Sequence, residues 1–478
     1  MNLALDLFVL GWLLVLLGAF QAPAVLTAFI YGEDFFPYLF SMLVAFAVGF
    51  ALTRVTYTDD RRLRPRDGFL VVGLAWVIAS VGGALPFVFT GALGPVDALF
   101  ESVAGFTTTG SSVMSGLEKT DRALLLWRST TQWVGGMGII LFTIAILPLL
   151  GIGGMQLFKA EVPGPIADKV RPRIAETARR LWSIYVGFTA LECVLLWAAG
   201  MSFFDALNHS FATLATGGFS TRDISIGAYG SPLIEWIVTL FMTIAGINFV
   251  LHHRLLTGHV VRVWRDTELR YYLAILLAST VVTASVLARS GMPFEQALRL
   301  GAFQVVSVMT TTGFVTANFE LWPSVVHLLF LVLMILGGMA GSTAGGVKSL
   351  RAILGVRALG AAIDRLIHPR AVRPVKYAGK AVDEEVLAGI WAFFCAYFLL
   401  VVVAAAIIAA YGYDLETSFS SALTAMGNVG PGLGEVGAYD NFGHYPALVK
   451  VLLSVCMIAG RLEVFTLLVL LMPSYWRR

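Results

Sequence analysis

Charge is scarce in this chain. Asp, Glu, Lys and Arg make up 13% of its 478 residues, against about 25% in a soluble domain. That shortage excludes a water-soluble globule, and it equally excludes a disordered chain, which requires high charge and low hydrophobicity. Cysteine is scarcer still. Cys193, Cys395 and Cys456 each lie in an apolar run, cannot form a disulfide framework, and are expected as small buried side chains. No Lys or Arg precedes Arg54. The first apolar run therefore lacks the basic start of a signal peptide and is expected to be a retained helix. No Ser/His/Asp or Cys/His arrangement suggests an enzyme. His252, His253 and His259 sit in a basic segment read as loop, with no Cys nearby and no helical i, i+4 pair to hold a metal.

Apolar residues fill the space that charge leaves. They make up 58% of the chain, and the mean hydropathy is +0.81. Runs near the roughly 20 residues needed to cross a bilayer fall at 3–23, 36–53, 69–91, 127–150, 181–201, 232–251, 271–289, 325–340, 386–411 and 447–472, which predicts ten crossings. The basic residues cluster between pairs of these runs: five in 54–66, six in 159–180, four in 254–270, eight in 348–380, and Arg477 with Arg478. The positive-inside rule places all five clusters, and hence both termini, in the cytoplasm. The charge is a topology signal, and nucleic acid is not an expected partner.

After the first two spans a pattern recurs four times: span, short apolar segment, glycine loop, span. The short segments, 96–107, 204–215, 295–310 and 415–426, are too short to cross and are expected as re-entrant half-helices. Each has an acid near its start (Asp97, Asp205, Glu295, and Asp414 with Glu416), which suits the positive end of a helix. The loops that follow carry the strongest motif: Thr107-Thr108-Thr109-Gly110-Ser111, Ala215-Thr216-Gly217-Gly218-Phe219, Thr310-Thr311-Thr312-Gly313-Phe314 and Gly427-Asn428-Val429-Gly430-Pro431. Three share Thr-x-Gly, and the fourth replaces it with Asn-Val-Gly.

A desolvated alkali cation needs oxygen ligands on all sides, and rings of backbone carbonyls supply them without a charge that would trap the ion. Such a backbone requires conformations that L-residues disfavour and glycine adopts at little cost. Non-helical backbone at membrane depth is tolerated where it is buried or lines water. The fold class expected is therefore an all-α polytopic membrane protein. Four parallel span–pore helix–filter loop–span pseudo-repeats surround one pore, with two extra N-terminal spans. The segments are 1–66 for the extra spans and basic loop, 67–155, 180–256 and 270–350 for repeats one to three, 351–383 for a basic cytoplasmic segment, and 384–478 for repeat four.

The four loops, the two extra spans, the run from Gly337-Gly338-Met339-Ala340-Gly341-Ser342-Thr343-Ala344-Gly345-Gly346 to Val347-Lys348, and Gly460-Arg461-Leu462-Glu463 together resemble the Trk/Ktr/HKT superfamily of potassium transporters, most of all its TrkH-type bacterial uptake subunits. The resemblance covers essentially the whole chain. It implies potassium uptake across a bacterial inner membrane by a homodimer, controlled by a cytosolic TrkA-type nucleotide-binding ring, with K+ as the transported ion and no other cofactor. It assigns the potassium-binding filter to Thr108, Thr109, Gly110, Thr216, Gly217, Gly218, Thr311, Thr312, Gly313, Asn428, Val429 and Gly430. It assigns a gate to Gly337, Gly338, Gly341, Ser342, Thr343, Gly345, Gly346 and Arg461.

The residues support the gate assignment independently. Five glycines within 337–346, each costing about 1 kcal/mol in a helix, argue for an unwound segment, though close helix packing is an alternative. Arg461 falls in the middle of the last apolar run, where a charge costs at least about 2.5–3.5 kcal/mol and should face protein or water. Glu463, two residues on, points to a different helix face, so it needs a partner other than Arg461. Glu192, in the first span of repeat two, is open between a structural and a functional role. The P-loop-like run 341–349 lacks its preceding strand, and Gly432-Leu433-Gly434-Glu435-Val436-Gly437 lacks a βαβ unit, so neither is read as a nucleotide site. The basic segments 159–180 and 348–380 are the expected docking surface for a regulator, or alternatively for anionic lipid. Other readings of the whole are a sodium-permeable or ion-coupled cation symporter of the same architecture, a carrier for an organic solute, and a membrane sensor. In the superfamily that the chain resembles, serine in place of the first-loop glycine favours sodium, so the resemblance and Gly110 together argue against the sodium form. Repeats that all start and end on the basic side argue against an inverted-repeat carrier.

Overall fold

The computed structural model describes residues 2–60, 64–138, 174–369 and 374–477. The expected crossing over 127–150 is described only as far as residue 138, and Arg171, Arg173, Arg370 and Arg373 lie outside the described residues. Apart from one two-stranded hairpin, Lys376–Tyr377 with Lys380–Ala381, the regular structure is helical.

Two long helices, α1 (Leu3–Tyr31) and α2 (Phe36–Val55), form an antiparallel pair outside the repeats. They approach closely because glycines face each other. A Cβ on Gly11 would lie 2.9 Å from the Gly49 carbonyl, and one on Gly49 would lie 2.8 Å from the Gly11 carbonyl. Small residues are what permit such backbone contact where lipid removes any hydrophobic drive between helices.

The segments expected from the sequence as repeats keep those labels here: the first holds α3 (Pro65–Phe89), the half-helix α4 (Pro95–Phe106) and α5 (Arg122–Gly136). Repeat two comprises α6 (Ile174–Ala198), the half-helix α7 (Phe203–Leu214), α8 (Pro232–Ala245) and α9 (Phe249–Leu256); a short α10 (Val260–Trp264) follows. Repeat three comprises α11 (Thr267–Arg289), the half-helix α12 (Phe294–Met309) and α13 (Ser324–Leu336), and leads into α14 (Ser349–Ile367). Repeat four comprises α15 (Glu384–Ala410), the half-helix α16 (Leu415–Gly427), α17 (Ala447–Arg461) and α18 (Phe465–Leu471). The four half-helices agree with the expected segments to within a residue or so at each end.

Local chemistry starts these half-helices. Pro95 occupies the first turn of α4, where a missing N–H costs nothing. Ser202 accepts from Asp205 N at 3.0 Å, and Asp414 accepts from Thr417 N at 2.8 Å, each filling one orphan donor of a helix N-terminus. Each half-helix packs on the first span of its own repeat. Each then meets the second helix of the preceding repeat: α5 on α7, α8 on α12, α13 on α16, and α17 back on α4. That last contact closes the ring.

Among the described residues six helices are long and apolar enough to cross a membrane, and two bent pairs raise the number to eight. Several sequence expectations need correction. The runs 232–251 and 447–472 are not straight spans: α8 and α9 are bent by 100°, and α17 and α18 by 115°. In the first case Asn248 caps a new helix by accepting from Val250 N at 2.8 Å. In the second, Glu463 and Val464 both adopt left-handed backbone, which no α-helix continues through. The run 325–340 is helical only to Leu336. Cys395 is exposed on α15 rather than buried, unlike Cys193 and Cys456. His252 and His253 lie on α9, not in a loop.

The α1–α2 contact is directly testable. Gly11→Leu should lower the Tm of the detergent-solubilised protein, by about 1–3 kcal/mol of overpacking. Gly187→Ala on α6, where an added methyl meets nothing within 4 Å, should hold or raise it.

Candidate functional site

The four glycine loops share one backbone conformation. Thr108, Thr216, Thr311 and Asn428 are left-handed, with φ between 53° and 56°. The glycines two positions on, Gly110, Gly218, Gly313 and Gly430, are also left-handed, at 79°, 78°, 80° and 107°. The residue between each pair is not. For a β-branched threonine this φ is an outlier costing of order 1–3 kcal/mol, tolerated where surroundings impose it. Its repetition in three loops, with Asn, a residue that visits this region more readily, in the fourth, marks a shared constraint. Alternating handedness turns successive carbonyls toward the same side of the chain.

The constraint is contact between loops. A Cβ on Gly110 would collide with the Gly217 carbonyl, one on Gly218 with the Thr312 carbonyl, and one on Gly313 with the Val429 carbonyl. One on Gly430 would come within 2.8 Å of the Thr109 carbonyl. Each signature glycine thus abuts the middle carbonyl of the next loop, in the order one, two, three, four and back to one. The twelve filter candidates named from sequence are brought together in this ring.

Side chains behind the ring hold it. Thr107 donates to Val103 O at 2.6 Å and lies 2.8 Å from Thr109 Oγ1; Thr310 and Thr312 repeat the arrangement. In loop two, where glycine stands at the middle position, Gln132 of α5 fills the vacated space. Its amide donates to Gly217 O, and its Oε1 accepts from Phe219 N at 3.0 Å. In loop four, Asn428 donates to Thr109 Oγ1 and to Met457 O, both at 2.9 Å, joining loops four and one to α17. Behind loop one, Glu101 and Arg128 form a buried ion pair at 2.6 Å. Arg128 also donates to Ser220 O and Ser112 Oγ, both at 3.0 Å, and covers the Phe219 ring at 3.8 Å. Glu192 is buried on α6 with its carboxyl beside Thr213 of the second half-helix.

Below the ring lies the glycine-rich stretch. It is unwound, as expected: α13 ends at Leu336, α14 begins at Ser349, and Gly337, Gly341 and Gly346 are left-handed. The stretch closes on itself, with the Gly337 and Gly346 backbones in contact, Val347 N donating to Ile335 O at 3.0 Å and Ser349 N to Gly338 O at 2.9 Å. Its upper side touches the ring of loops: Gly345 N donates to Thr311 Oγ1 at 2.7 Å, and Gly346 N to Gly427 O at 2.9 Å. Ser342 turns inward and bonds Met339 O, while Thr343 Oγ1 donates to Ala245 O at 3.2 Å.

Arg461 reaches the same place from the end of α17. It donates to Thr343 O at 2.7 Å and to Gly135 O and Gly136 O at 2.8 and 2.9 Å. All four repeats therefore converge here: Gly135 and Gly136 from one, Ala245 from two, the unwound loop from three, Arg461 from four. Glu463 does have another partner, Arg351 of α14, whose guanidinium lies 4.5 Å over the Phe393 ring.

Sequence reasoning missed the residues that brace the loop from below. Ala340 N donates to Glu268 Oε1 at 2.8 Å and Ser349 Oγ to the same oxygen at 2.9 Å; Asn248 donates to Ala340 O at 2.6 Å; Phe249 N donates to Gly341 O at 3.0 Å; and Met339 N donates to Gly246 O at 2.9 Å. The available signal was Gly246 with Asn248 inside an apolar run, a polar interruption at the depth of the glycine-rich stretch. Glu101 and Arg128, charges within apolar segments, gave a similar unused signal. Among the described residues no group of three or more His, Cys, Asp or Glu could hold a metal ion.

Comparison with known proteins agrees with this geometry. The model of a family described as "TrkH: Cation transport protein" matches residues 39–478. The Trk system potassium uptake protein TrkH of Escherichia coli K12 is 44% identical over 447 residues, covering 91% of each chain. That of Halomonas elongata is 40% identical over 491 aligned positions, covering all of both chains. The crystal structure of the potassium transporter TrkH from Vibrio parahaemolyticus superposes with a TM-score of 0.90 at 38% identity, again over the whole of both chains.

The Glu101–Arg128 pair yields a test on stability. Arg128→Met leaves a buried carboxylate uncompensated and should cost about 3–5 kcal/mol, read as a lower Tm in detergent. Adding Glu101→Gln should restore part of that loss. A double variant as unstable as the single one would show that the pair's charge balance is not what matters.

Proposed function

Because the chain belongs to the TrkH family of cation transport proteins and is not an enzyme, we propose that it takes up potassium across a bacterial inner membrane through the ring of four loops. The observation that carries this reading is the ring itself: eight left-handed positions in register, closed by glycine-to-carbonyl contacts. Carbonyl oxygens so arrayed replace a hydration shell without fixed charge. The four half-helices end at the ring, so their negative C-terminal ends favour a cation there. The names of the relatives, which speak of potassium uptake, point the same way.

In this reading the unwound loop is the gate. It fills the space directly below the filter, and its tip is tied to Arg461 through the Thr343 carbonyl. The Arg461 charge opposes cation passage until the loop moves aside. Supporting this is the composition of the contacts. They are hydrogen bonds to backbone carbonyls from an arginine at a helix end, which can be exchanged without exposing an apolar core. The working assembly is a homodimer carrying a TrkA-type cytosolic ring. It is supported by the resemblance, by the word "system" in the relatives' names, and by the basic helix α14, which starts where the loop ends.

Gly110→Ser should reduce the preference for potassium over sodium in liposomes, because its Cβ would strike the Gly217 carbonyl. Unchanged relative permeability in a folded variant would remove Gly110 from the filter.

Arg461→Ala, and separately a shortening within 341–346, should raise potassium flux and leave the potassium-to-sodium ratio unaltered. Equal or lower flux from a folded Arg461→Ala protein would leave Arg461 a structural residue.

A further inference from the structure

Beyond the filter and its gate, one cluster of side chains has no role in transport so far. After the 100° bend at the end of α8, helix α9 packs on α6 and on the short α10 that follows, forming an elbow. Within it lies a cavity of about 360 Å3, lined by His253, Arg254, Thr257, His259 and Arg262. The lining holds no acid. Neither arginine has an ion-pair partner among the described residues, and both are exposed. The walls thus offer two guanidinium groups and two imidazoles, donors for a phosphate oxyanion, while the Thr257 hydroxyl donates to the His253 and Arg254 carbonyls. The same elbow exposes Leu255, Leu256, Val260, Val261 and Trp264. Cations beside exposed apolar side chains and a tryptophan are the composition of a segment lying in a membrane interface.

We propose that this pocket binds the phosphate of an anionic phospholipid headgroup, with the flanking apolar residues against its acyl chains. A free phosphate ion would satisfy the arginines but leave the apolar side chains exposed to water, so a lipid accounts for both features. The position has a consequence. Asn248 and Phe249, at the start of α9, and Glu268, just past α10, are residues that hold Ala340 and Gly341 of the unwound loop. A lipid bound at the elbow would steady the base of the loop; that consequence rests on the gate reading, whereas lipid binding does not.

Native mass spectrometry of the full chain in detergent tests the binding itself, with phosphatidylglycerol and phosphatidylcholine offered in parallel. The wild-type chain should retain phosphatidylglycerol preferentially. Arg254→Gln combined with Arg262→Gln should weaken retention of one lipid per chain about tenfold, while Arg54→Gln should not. Because loss of arginine could disturb folding, Leu256→Asn with Val261→Asn provides a second reading. It should weaken lipid retention with the arginines intact. Inorganic phosphate should fail to displace the lipid. Equal retention by wild type and both double variants would overturn the proposal, and so would ready displacement by inorganic phosphate, which would make this a free-anion site. Retained lipid together with lost binding of a cytosolic protein partner would also overturn it, by making the elbow a protein dock.

Discussion

The contact between one loop's glycine and the next loop's carbonyl is the constraint on which the rest of the structure depends. Four loops from distant parts of the chain meet backbone to backbone, with no room for a Cβ at Gly110, Gly218 or Gly313. Such packing requires left-handed residues at fixed positions, including three threonines that would otherwise avoid them. The strain is carried by what stands behind: threonine hydroxyl pairs in loops one and three, the Gln132 amide in loop two, and the Asn428 amide in loop four. Loops one and three reach this backbone by the same side-chain route and loops two and four by two others, so the ring is a four-fold object made from unlike sequences.

Charges are few, and several of the buried or half-buried ones lie around this ring and the segment below it. Glu101 and Arg128 neutralise each other behind loop one. Arg461 spends its donors on three carbonyls, and Glu268 accepts from a loop amide and a serine. Where water is absent, a polar group without a partner is costly, so each such group fixes its neighbours. Glu268 and Asn248 hold the base of the unwound loop. Arg461 holds its tip, and Thr311 of the third loop holds its upper side. The loop is therefore ordered although it has no regular structure. Its attachments are hydrogen bonds from repeats two, three and four, and Arg461 links it on to the Gly135 and Gly136 carbonyls of repeat one.

What the sequence alone determined follows from periodicity and composition. Apolar length placed most spans, short apolar segments with an acid at the start placed the four half-helices, and the glycine spacing placed the loops. The five glycines of 337–346 announced an unwound segment because glycine disfavours helix locally, without reference to neighbours. Glu463 was expected to need a partner other than Arg461 and has one in Arg351, but the helix-face argument behind that expectation does not apply, because α17 ends at Arg461.

Only the tertiary structure decided the rest, because those features depend on what lies across the ring. The breaks after Ala245 and Arg461 could not be read from hydropathy, since each bent pair taken together is apolar enough for one span; left-handed backbone at Glu463 and Val464 and the cap at Asn248 make the bends. Cys395 was expected inside because apolar runs hold buried cysteines, but the surface of α15 that carries it is itself apolar. Gln132 and Glu268 are ordinary residues until Gly217 and Ala340 are placed against them. Which carbonyls Arg461 meets was likewise unreadable, because Gly135, Gly136 and Thr343 are more than a hundred residues away in the chain and converge only when the four repeats close around one axis.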